Sequence, residues 1–163
     1  MFATSAAVFS LLLILTGVAK IRSPGDVGRA LTALGFPIIR RAGGLIGVVE
    51  VAVGATALFW RPSLIAQGFL FVVFGIWVLV ALRREVPIAS CGCLGKDDTP
   101  PTVAHIVLNA IAASASLAAA GGPALRIHSG LEGATQVAVV AVGVFLSYIV
   151  LTDGARLIGA RSR

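Results

Sequence analysis

Residues 42–60, with the sequence AGGLIGVVEVAVGATALFW, decide the class of fold. At about 1.5 Å per residue, a helix of this length just crosses a hydrocarbon core of about 30 Å. Glu50 is its one charged residue, and Gly43, Gly47, Glu50 and Gly54 follow 4-3-4 spacing, which puts them on one helical face. Small residues at this spacing let a second helix approach closely. The stretch therefore predicts a membrane-spanning helix whose glycine face, with Glu50, points into a bundle.

Long uncharged runs recur along the whole chain, which has 163 residues, 58% of them hydrophobic and 12% charged. A typical soluble domain has about 25% charged residues. The pattern predicts an all-α, polytopic membrane helical bundle of about five transmembrane helices, a core of four plus one, surrounded by the lipid bilayer. We expect a single domain, residues 1–163, with spans at residues 2–19, 42–60, 63–82, 101–120 and 134–151.

The first apolar run allows a second interpretation, a cleaved signal peptide. No Lys or Arg precedes the run, whereas a signal peptide normally begins with basic residues, so we expect a retained first helix. After this run, Ser23 and Pro24 are typical of an N-cap and a first helical residue. They predict a short interfacial helix at about residues 27–36, ahead of the second span.

The basic residues predict the orientation in the membrane. The net charge is +6, and with five spans only Arg61 and Arg126 fall on one side, while the other eleven Lys and Arg residues fall on the opposite side. Because positive charge concentrates in the cytoplasm, we expect a multi-pass cell-membrane protein with its N-terminus outside and its C-terminus inside. No basic patch with interleaved aromatic residues is present, so nucleic acid is not an expected partner.

Both cysteines lie in the polar loop Ser90-Cys91-Gly92-Cys93-Leu94-Gly95, between the third and fourth predicted spans and on the side predicted to be cytoplasmic. A disulfide between Cys91 and Cys93 would close a small, strained ring, although Gly92 adds backbone freedom. Strained disulfides are easily reduced and suit thiol–disulfide exchange. Two other interpretations stay open: a soft-metal site, or two reduced and inert cysteines at an interface.

Three polar residues inside the predicted spans are candidates for supporting roles. His105 lies twelve residues after Cys93, where it can accept a thiol proton, serve as a third soft-metal ligand, or bond to a neighbouring helix. Asn109, one turn deeper on the same face, either takes part directly or forms an interhelical hydrogen bond. Glu50 is costly in lipid and needs a partner or a proton, so it can relay protons, hydrogen-bond His105 or Asn109, or serve packing alone.

The chain resembles the MauE branch of the MauE/DoxX membrane proteins. The resemblance rests on Cys91-Gly92-Cys93-Leu94-Gly95 after a span, on Val49-Glu50 in the second helix, and on Gly17-Val18-Ala19-Lys20 at the end of the first. It extends from the first span through the fourth. It implies a redox-associated role with a thioredoxin-like partner, in which Cys91 and Cys93 form the redox pair. Glu50 and Asn109 match polar positions of the family.

The first functional hypothesis is therefore a membrane thiol–disulfide oxidoreductase. Cys91 and Cys93 would cycle between dithiol and disulfide, His105 would manage protons, and Gly92 and Gly95 would give the loop its freedom. The reducing equivalents would pass to or from a thioredoxin-like protein or a membrane quinone, which is the one cofactor considered.

Two further hypotheses compete with redox exchange. Cys91, Cys93 and His105 could pass Cu(I) or Zn(II), although two cysteines and one histidine are fewer than the four ligands of a typical structural zinc site, and no metal is assigned. The protein could also be a non-catalytic membrane assembly factor, which would work without its thiols. A homo-oligomer is compatible with each hypothesis.

Overall fold

The computed structural model describes residues 2–33, 35, 42–84, 102–122 and 129–159, and each regular element within these ranges is an α-helix. The helices are α1 (Phe2–Arg22), α2 (Pro24–Ala33), α3 (Ala42–Ala57), α4 (Ser63–Arg83), α5 (Val103–Gly121) and α6 (Gly130–Gly159). The predicted all-helical membrane bundle is confirmed for this part of the chain.

Four helices, α1, α4, α5 and α6, are long and apolar enough to cross a membrane. α3 is apolar but has 16 residues, which cover about 24 Å. The helix predicted over residues 42–60 thus ends at Ala57. The chain turns there, with the Trp60 N–H donating to the Thr56 carbonyl at 2.8 Å, because Pro62 follows and disfavours helical backbone in the residue before it.

The turn between α3 and α4 carries two exposed aromatic residues. Phe59 is 90% exposed and Trp60 63% exposed. Aromatic side chains concentrate at the interface between membrane and water, where an apolar ring and a polar edge are both accommodated. Beside them, the Arg61 guanidinium donates to the Ala120 carbonyl at 2.8 Å, which ties this turn to the last turn of α5. This end of the bundle therefore has the features of a membrane boundary.

α1 and α3 pack antiparallel through the predicted glycine face. The buried residues of α3 are Gly43, Gly47, Glu50, Gly54 and Ala57. A Cβ built on Gly47 would lie 2.5 Å from the Gly17 carbonyl oxygen, and one on Gly54 would lie 2.7 Å from the Ser10 carbonyl oxygen. A side chain at either position would force the two backbones apart, so the glycines allow the close approach that their spacing predicts. This prediction is confirmed.

The centre of the bundle is formed by α1, α4 and α5. Phe9 of α1 meets Phe71 of α4 edge to face, with ring centroids 5.8 Å apart. Leu13 packs in the same cluster, against Ala112 and Ala113 of α5. Small residues on α5 bring the helices close, and close van der Waals packing is the main attraction between helices in lipid.

The two remaining helices differ in part from the predicted boundaries. α2 begins at Pro24 as the Ser23-Pro24 pattern predicts, but it ends at Ala33, and Gly35 has a positive φ of 88° that suits glycine. α6 begins at Gly130, so residues 130–133 are helical rather than part of a polar loop, and it continues to Gly159. Most of α6 is exposed; Gly143 provides a close approach to Val8 of α1.

Candidate functional site

The cysteine loop lies outside the described residues. Cys91, Gly92, Cys93 and Gly95 belong to residues 85–101, which the structure does not describe. We call these residues the cysteine segment. Arg84 and Thr102 flank it, and we call the end of the bundle that carries these two residues the thiol end. The structure therefore describes the residues at the thiol end of the bundle and not the two cysteines.

Contacts between helices show which residues lie toward the thiol end. Gly68 faces Leu117, and Gly75 faces Asn109, so α4 and α5 are antiparallel. Ser10 of α1 is bonded to Gln67 of α4, and further along both helices Lys20 lies against the Phe74 ring, so α1 runs in the same direction as α4. The half of the bundle toward the thiol end therefore contains Lys20, His105 and Asn109, with Glu50 near the middle of α3.

His105 is fully buried in the first turn of α5 and is held by Thr102. The Thr102 N–H donates to His105 Nδ1 at 3.3 Å, and the Thr102 hydroxyl lies 2.8 Å from the same nitrogen, in a capping box. A backbone N–H can only donate, so Nδ1 is an acceptor and the neutral ring carries its proton on Nε2. In this state His105 is a hydrogen-bond donor through Nε2.

Asn109 is buried one turn further along α5. Its Nδ2 donates to the His105 carbonyl at 2.7 Å, and a Cβ built on Gly75 of α4 would lie 3.5 Å from the Asn109 Cβ. The amide thus caps a carbonyl of its own helix while packing against α4. The predicted common face of His105 and Asn109 is buried in the bundle, and Ser116, seven residues after Asn109, is buried as well.

Glu50 forms a buried ion pair with Lys20, and both lie well inside the bundle, with 0% and 5% exposure. Lys20 Nζ lies 2.8 Å from Glu50 Oε1 and donates a hydrogen bond to Oε2 at 2.9 Å. The contact with Oε1 lacks hydrogen-bond geometry and is Coulombic only. The Thr16 hydroxyl lies 3.2 Å from Oε2, and Nζ lies 5.4 Å from the centroid of the Phe74 ring. Glu50 is thus paired with α1, and the alternative of a hydrogen bond to His105 or Asn109 is not what the structure has.

The sequence analysis missed Lys20 as the partner of Glu50, because it treated Lys20 as a charge at the end of the first span. A signal was present: Thr16 and Gly17 lie four and three residues before Lys20, which puts them beside it on the helix, and Gly17 is a contact point with α3. Side chains in a helix lean toward its N-terminus, so the ammonium of Lys20 in the last turn of α1 reaches back toward the bundle centre. The Lys20 side chain is therefore buried against Phe74 and not exposed at the membrane surface.

A second polar layer lies in the half away from the thiol end. Gln67 of α4 is fully buried; its Nε2 donates to the Ala6 carbonyl at 3.2 Å and to the Ser116 hydroxyl at 3.0 Å. Its Oε1 lies 2.7 Å from the Ser10 hydroxyl. The layer therefore joins α1, α4 and α5 with both amide hydrogens of Gln67 used, and it places Ser10, Gln67 and Ser116 at one depth.

The described residues contain no group of three or more His, Cys, Asp or Glu side chains arranged to hold a metal ion. The two cysteines of the soft-metal hypothesis lie outside that part of the chain.

Comparison with known proteins gives one family. A family model described as methylamine utilisation protein MauE matches residues 1–125. The matched range contains the cysteine segment, the Lys20–Glu50 pair and His105, and it ends before α6. No curated protein and no solved structure matches the chain.

Proposed function

Because the chain belongs to the MauE family of membrane proteins, we propose that it is a membrane-embedded thiol–disulfide redox protein that uses Cys91 and Cys93. The partner in this proposal is a thioredoxin-like protein, and a relationship to DoxX proteins stays a prediction. The observation that carries the proposal is the placement of His105. It is a buried imidazole, fixed by the first described residue after the cysteine segment.

The exchange reaction balances within the cysteine pair and its partner. A thiolate of one cysteine attacks the partner's disulfide, which forms a mixed disulfide and releases one partner thiolate. The second cysteine then attacks the mixed disulfide, closes the Cys91–Cys93 bond and releases the second partner thiolate. Two electrons pass to the partner, and the reverse sequence passes them back.

His105 supports the thiolate as a hydrogen-bond donor in this proposal. Its Nδ1 is engaged by Thr102, so a hydrogen bond from the ring to a sulfur atom would be donated by Nε2. Hydrogen bonds to an ionised acceptor are about twice as strong as neutral ones, so a donor of this kind favours the thiolate, which is the reactive form. This role replaces that of proton acceptor considered from the sequence.

Trapping of a mixed disulfide tests the redox proposal. The Cys91→Ser and Cys93→Ser variants each keep one thiol, and we expect one of them to accumulate a covalent complex with a thioredoxin-like protein under mild oxidation. Non-reducing electrophoresis and mass spectrometry would identify the complex, and the double Cys→Ser variant is the matched control. If neither single variant forms a reducible adduct, the redox proposal fails; full function of the double variant would favour a non-catalytic assembly role.

Orientation is a separate part of the proposal. We expect the cysteine segment to lie in the cytoplasm, because most of the Lys and Arg residues fall on its predicted side of the membrane. Lys20 contributes less to this bias because it is buried in an ion pair. We expect a membrane-impermeant maleimide to label Cys91 and Cys93 in inverted vesicles and not in intact cells. Labelling in intact cells would reverse the orientation without affecting the redox chemistry.

A further inference from the structure

A long groove opens between α6 and the bundle, on the face formed by α1 and α5. Its volume is about 1150 Å³, and apolar side chains such as Phe9, Ile111, Val139 and Leu146 line most of it. This exceeds the range of about 300–1,000 Å³ that is usual for small-molecule sites. The groove thus has room for a lipid-soluble molecule with a ring and a chain.

Ser114 and Ser147 carry hydroxyl groups on facing walls of the groove. Ser147 of α6 is 7% exposed and Ser114 lies opposite on α5, and neither hydroxyl makes a hydrogen bond within the described part of the chain. In contrast, Ser10, Ser116 and Thr135 each contact the carbonyl four residues earlier. A hydroxyl that forgoes this local bond and lines an apolar groove is available to a ligand.

The hydroxyls of Ser114 and Ser147 lie at one depth in the bundle. Ser10 and Ser116 are bonded to the same Gln67 side chain, and α1 and α5 are antiparallel, so Ser114 is level with Leu12. Gly143 lies against Val8, and Leu151 further along α6 packs in the cluster that contains Leu12, so α1 and α6 run in the same direction. Ser147, four residues after Gly143, is therefore also close to the level of Leu12. The groove therefore offers one hydrogen-bond donor from each of two opposite walls.

The charge of the groove selects among lipid-soluble ligands. Among the described residues that line the groove, Glu132, in the first turn of α6, is the one charged side chain, and none is Lys or Arg. A phospholipid carries a phosphate, which would lie in a groove without a cation and near a carboxylate. A neutral ligand avoids this repulsion, and one with an acceptor oxygen on each of two opposite edges can take a hydrogen bond from both facing hydroxyls.

We propose that this groove binds an isoprenoid quinone. The ring would lie between Ser114 and Ser147, each hydroxyl donating to one of the two opposite carbonyl oxygens, with the chain along the apolar wall. The ring site adjoins Ile111, about 12 Å along α5 from Val103, so it is the part of the groove nearest the thiol end. The binding site stands on this geometry alone.

The redox use of the quinone rests on the proposed function. Oxidation of the Cys91–Cys93 dithiol to a disulfide releases two electrons and two protons, and reduction of one quinone to a quinol takes up both. The thiols and the quinone would then form a balanced couple within one membrane protein.

Photolabelling of the protein in phosphatidylcholine nanodiscs with a short-chain azidoquinone tests the binding site. We expect covalent label in the peptides around Ser114 and Ser147, and about tenfold weaker binding in the Ser114→Ala/Ser147→Ala variant, which loses two hydrogen bonds. Ala110→Phe places a ring in the groove and should abolish the labelling. Ala66→Phe is the matched control, because Ala66 is exposed on α4 and does not line the groove.

Several results would overturn the quinone site. Label spread evenly over lipid-facing positions, unchanged labelling of Ala110→Phe, a phospholipid retained in the groove by the purified protein, or a second copy cross-linked there would each do so. The labelling is repeated in the Cys91→Ser/Cys93→Ser variant, which should bind quinone as well as the unaltered protein does. Binding without thiols separates the fate of this site from that of the redox proposal.

Discussion

The buried Lys20–Glu50 pair gives the sharpest quantitative prediction. Lys20→Met removes the ammonium and leaves the Glu50 carboxylate inside the bundle without its counter-ion. With 2.8 Å between Nζ and Oε1 and an effective dielectric constant of 20, the attraction that is lost amounts to about 6 kcal/mol. Relaxation and water entry recover part of it, so we expect the free energy of unfolding to fall by about 3–5 kcal/mol, as is usual when one partner of a buried pair is removed.

A double-mutant cycle separates the pair from the packing around it. Glu50→Gln keeps the size of the side chain and should also destabilise, because Lys20 then keeps its charge among apolar groups. The double variant Lys20→Met/Glu50→Gln leaves no charge buried, so its loss of stability should be well below the sum of the two single losses. Arg22→Met is the matched control, because Arg22 is exposed in the same turn of α1, and we expect a change below about 0.5 kcal/mol.

The assay is reversible unfolding of the purified protein in mixed micelles, followed through helix content as the fraction of denaturing detergent rises. The measured quantity is the coupling energy of the cycle. A coupling energy near zero, or single variants that lose less than about 1 kcal/mol, would refute the reasoning, because they would mean that water solvates the two charges in the folded bundle. Hydrogen bonds between membrane helices average only about 0.6 kcal/mol, so a value several times larger identifies the charges as the cause.

Three further predictions follow from the same contacts. Gly47→Ala should cost about 1–3 kcal/mol in unfolding free energy, because the added Cβ meets the facing backbone of α1. Gly44→Ala should cost nothing, because its Cβ would have its nearest neighbour at 3.9 Å. Equal losses in the two variants would contradict the close-approach argument. Gln67→Leu should cost about 1–3 kcal/mol in the same assay, because it removes the three interhelical hydrogen bonds of the Gln67 amide, although Ser10 and Ser116 keep their bonds within their own helices. Thr56→Val on the exposed face of α3 should cost less than about 0.5 kcal/mol, and no difference between the two variants would show that the layer is not stabilising. His105→Gln keeps an acceptor for the cap and an N–H donor, so the rate at which Cys91 and Cys93 are alkylated should stay within a few-fold of the original. His105→Leu removes both groups and should slow the alkylation markedly. A Gln variant as slow as the Leu variant would point to proton transfer by His105 instead.

Lipid makes the secondary structure of this chain predictable. A backbone inside a membrane must satisfy its own hydrogen bonds, so long uncharged runs become helices whatever their detailed order. The glycine face of α3 is a local property as well, since the spacing of Gly43, Gly47 and Gly54 depends only on the helical repeat. The burial of Glu50 follows from that face, and it is confirmed at 0% exposure.

Helix ends were less predictable, because they depend on the residues that compete for the last backbone bonds. The break after Ala57 depends on a turn stabilised by backbone bonds and on Pro62. The early start of α6 at Gly130 does have a marker, which the sequence analysis missed: Ser129 and Glu132 have the S-x-x-E spacing of a capping box. Four helices meet the length of a membrane span, and the shorter α3 relies on its partner α1 for burial.

The sequence by itself determined that this protein is a helical membrane bundle with an acidic residue facing inward, because apolar length and helical spacing are properties of single segments. Only the tertiary structure decided what that acid meets. Lys20 is thirty residues away in the chain, and it reaches Glu50 because two glycines let α1 and α3 approach at one register. The same holds for the two hydroxyls that face each other across the groove of α6. Register between helices is set by the packing of many side chains at once, and no single stretch of sequence contains it.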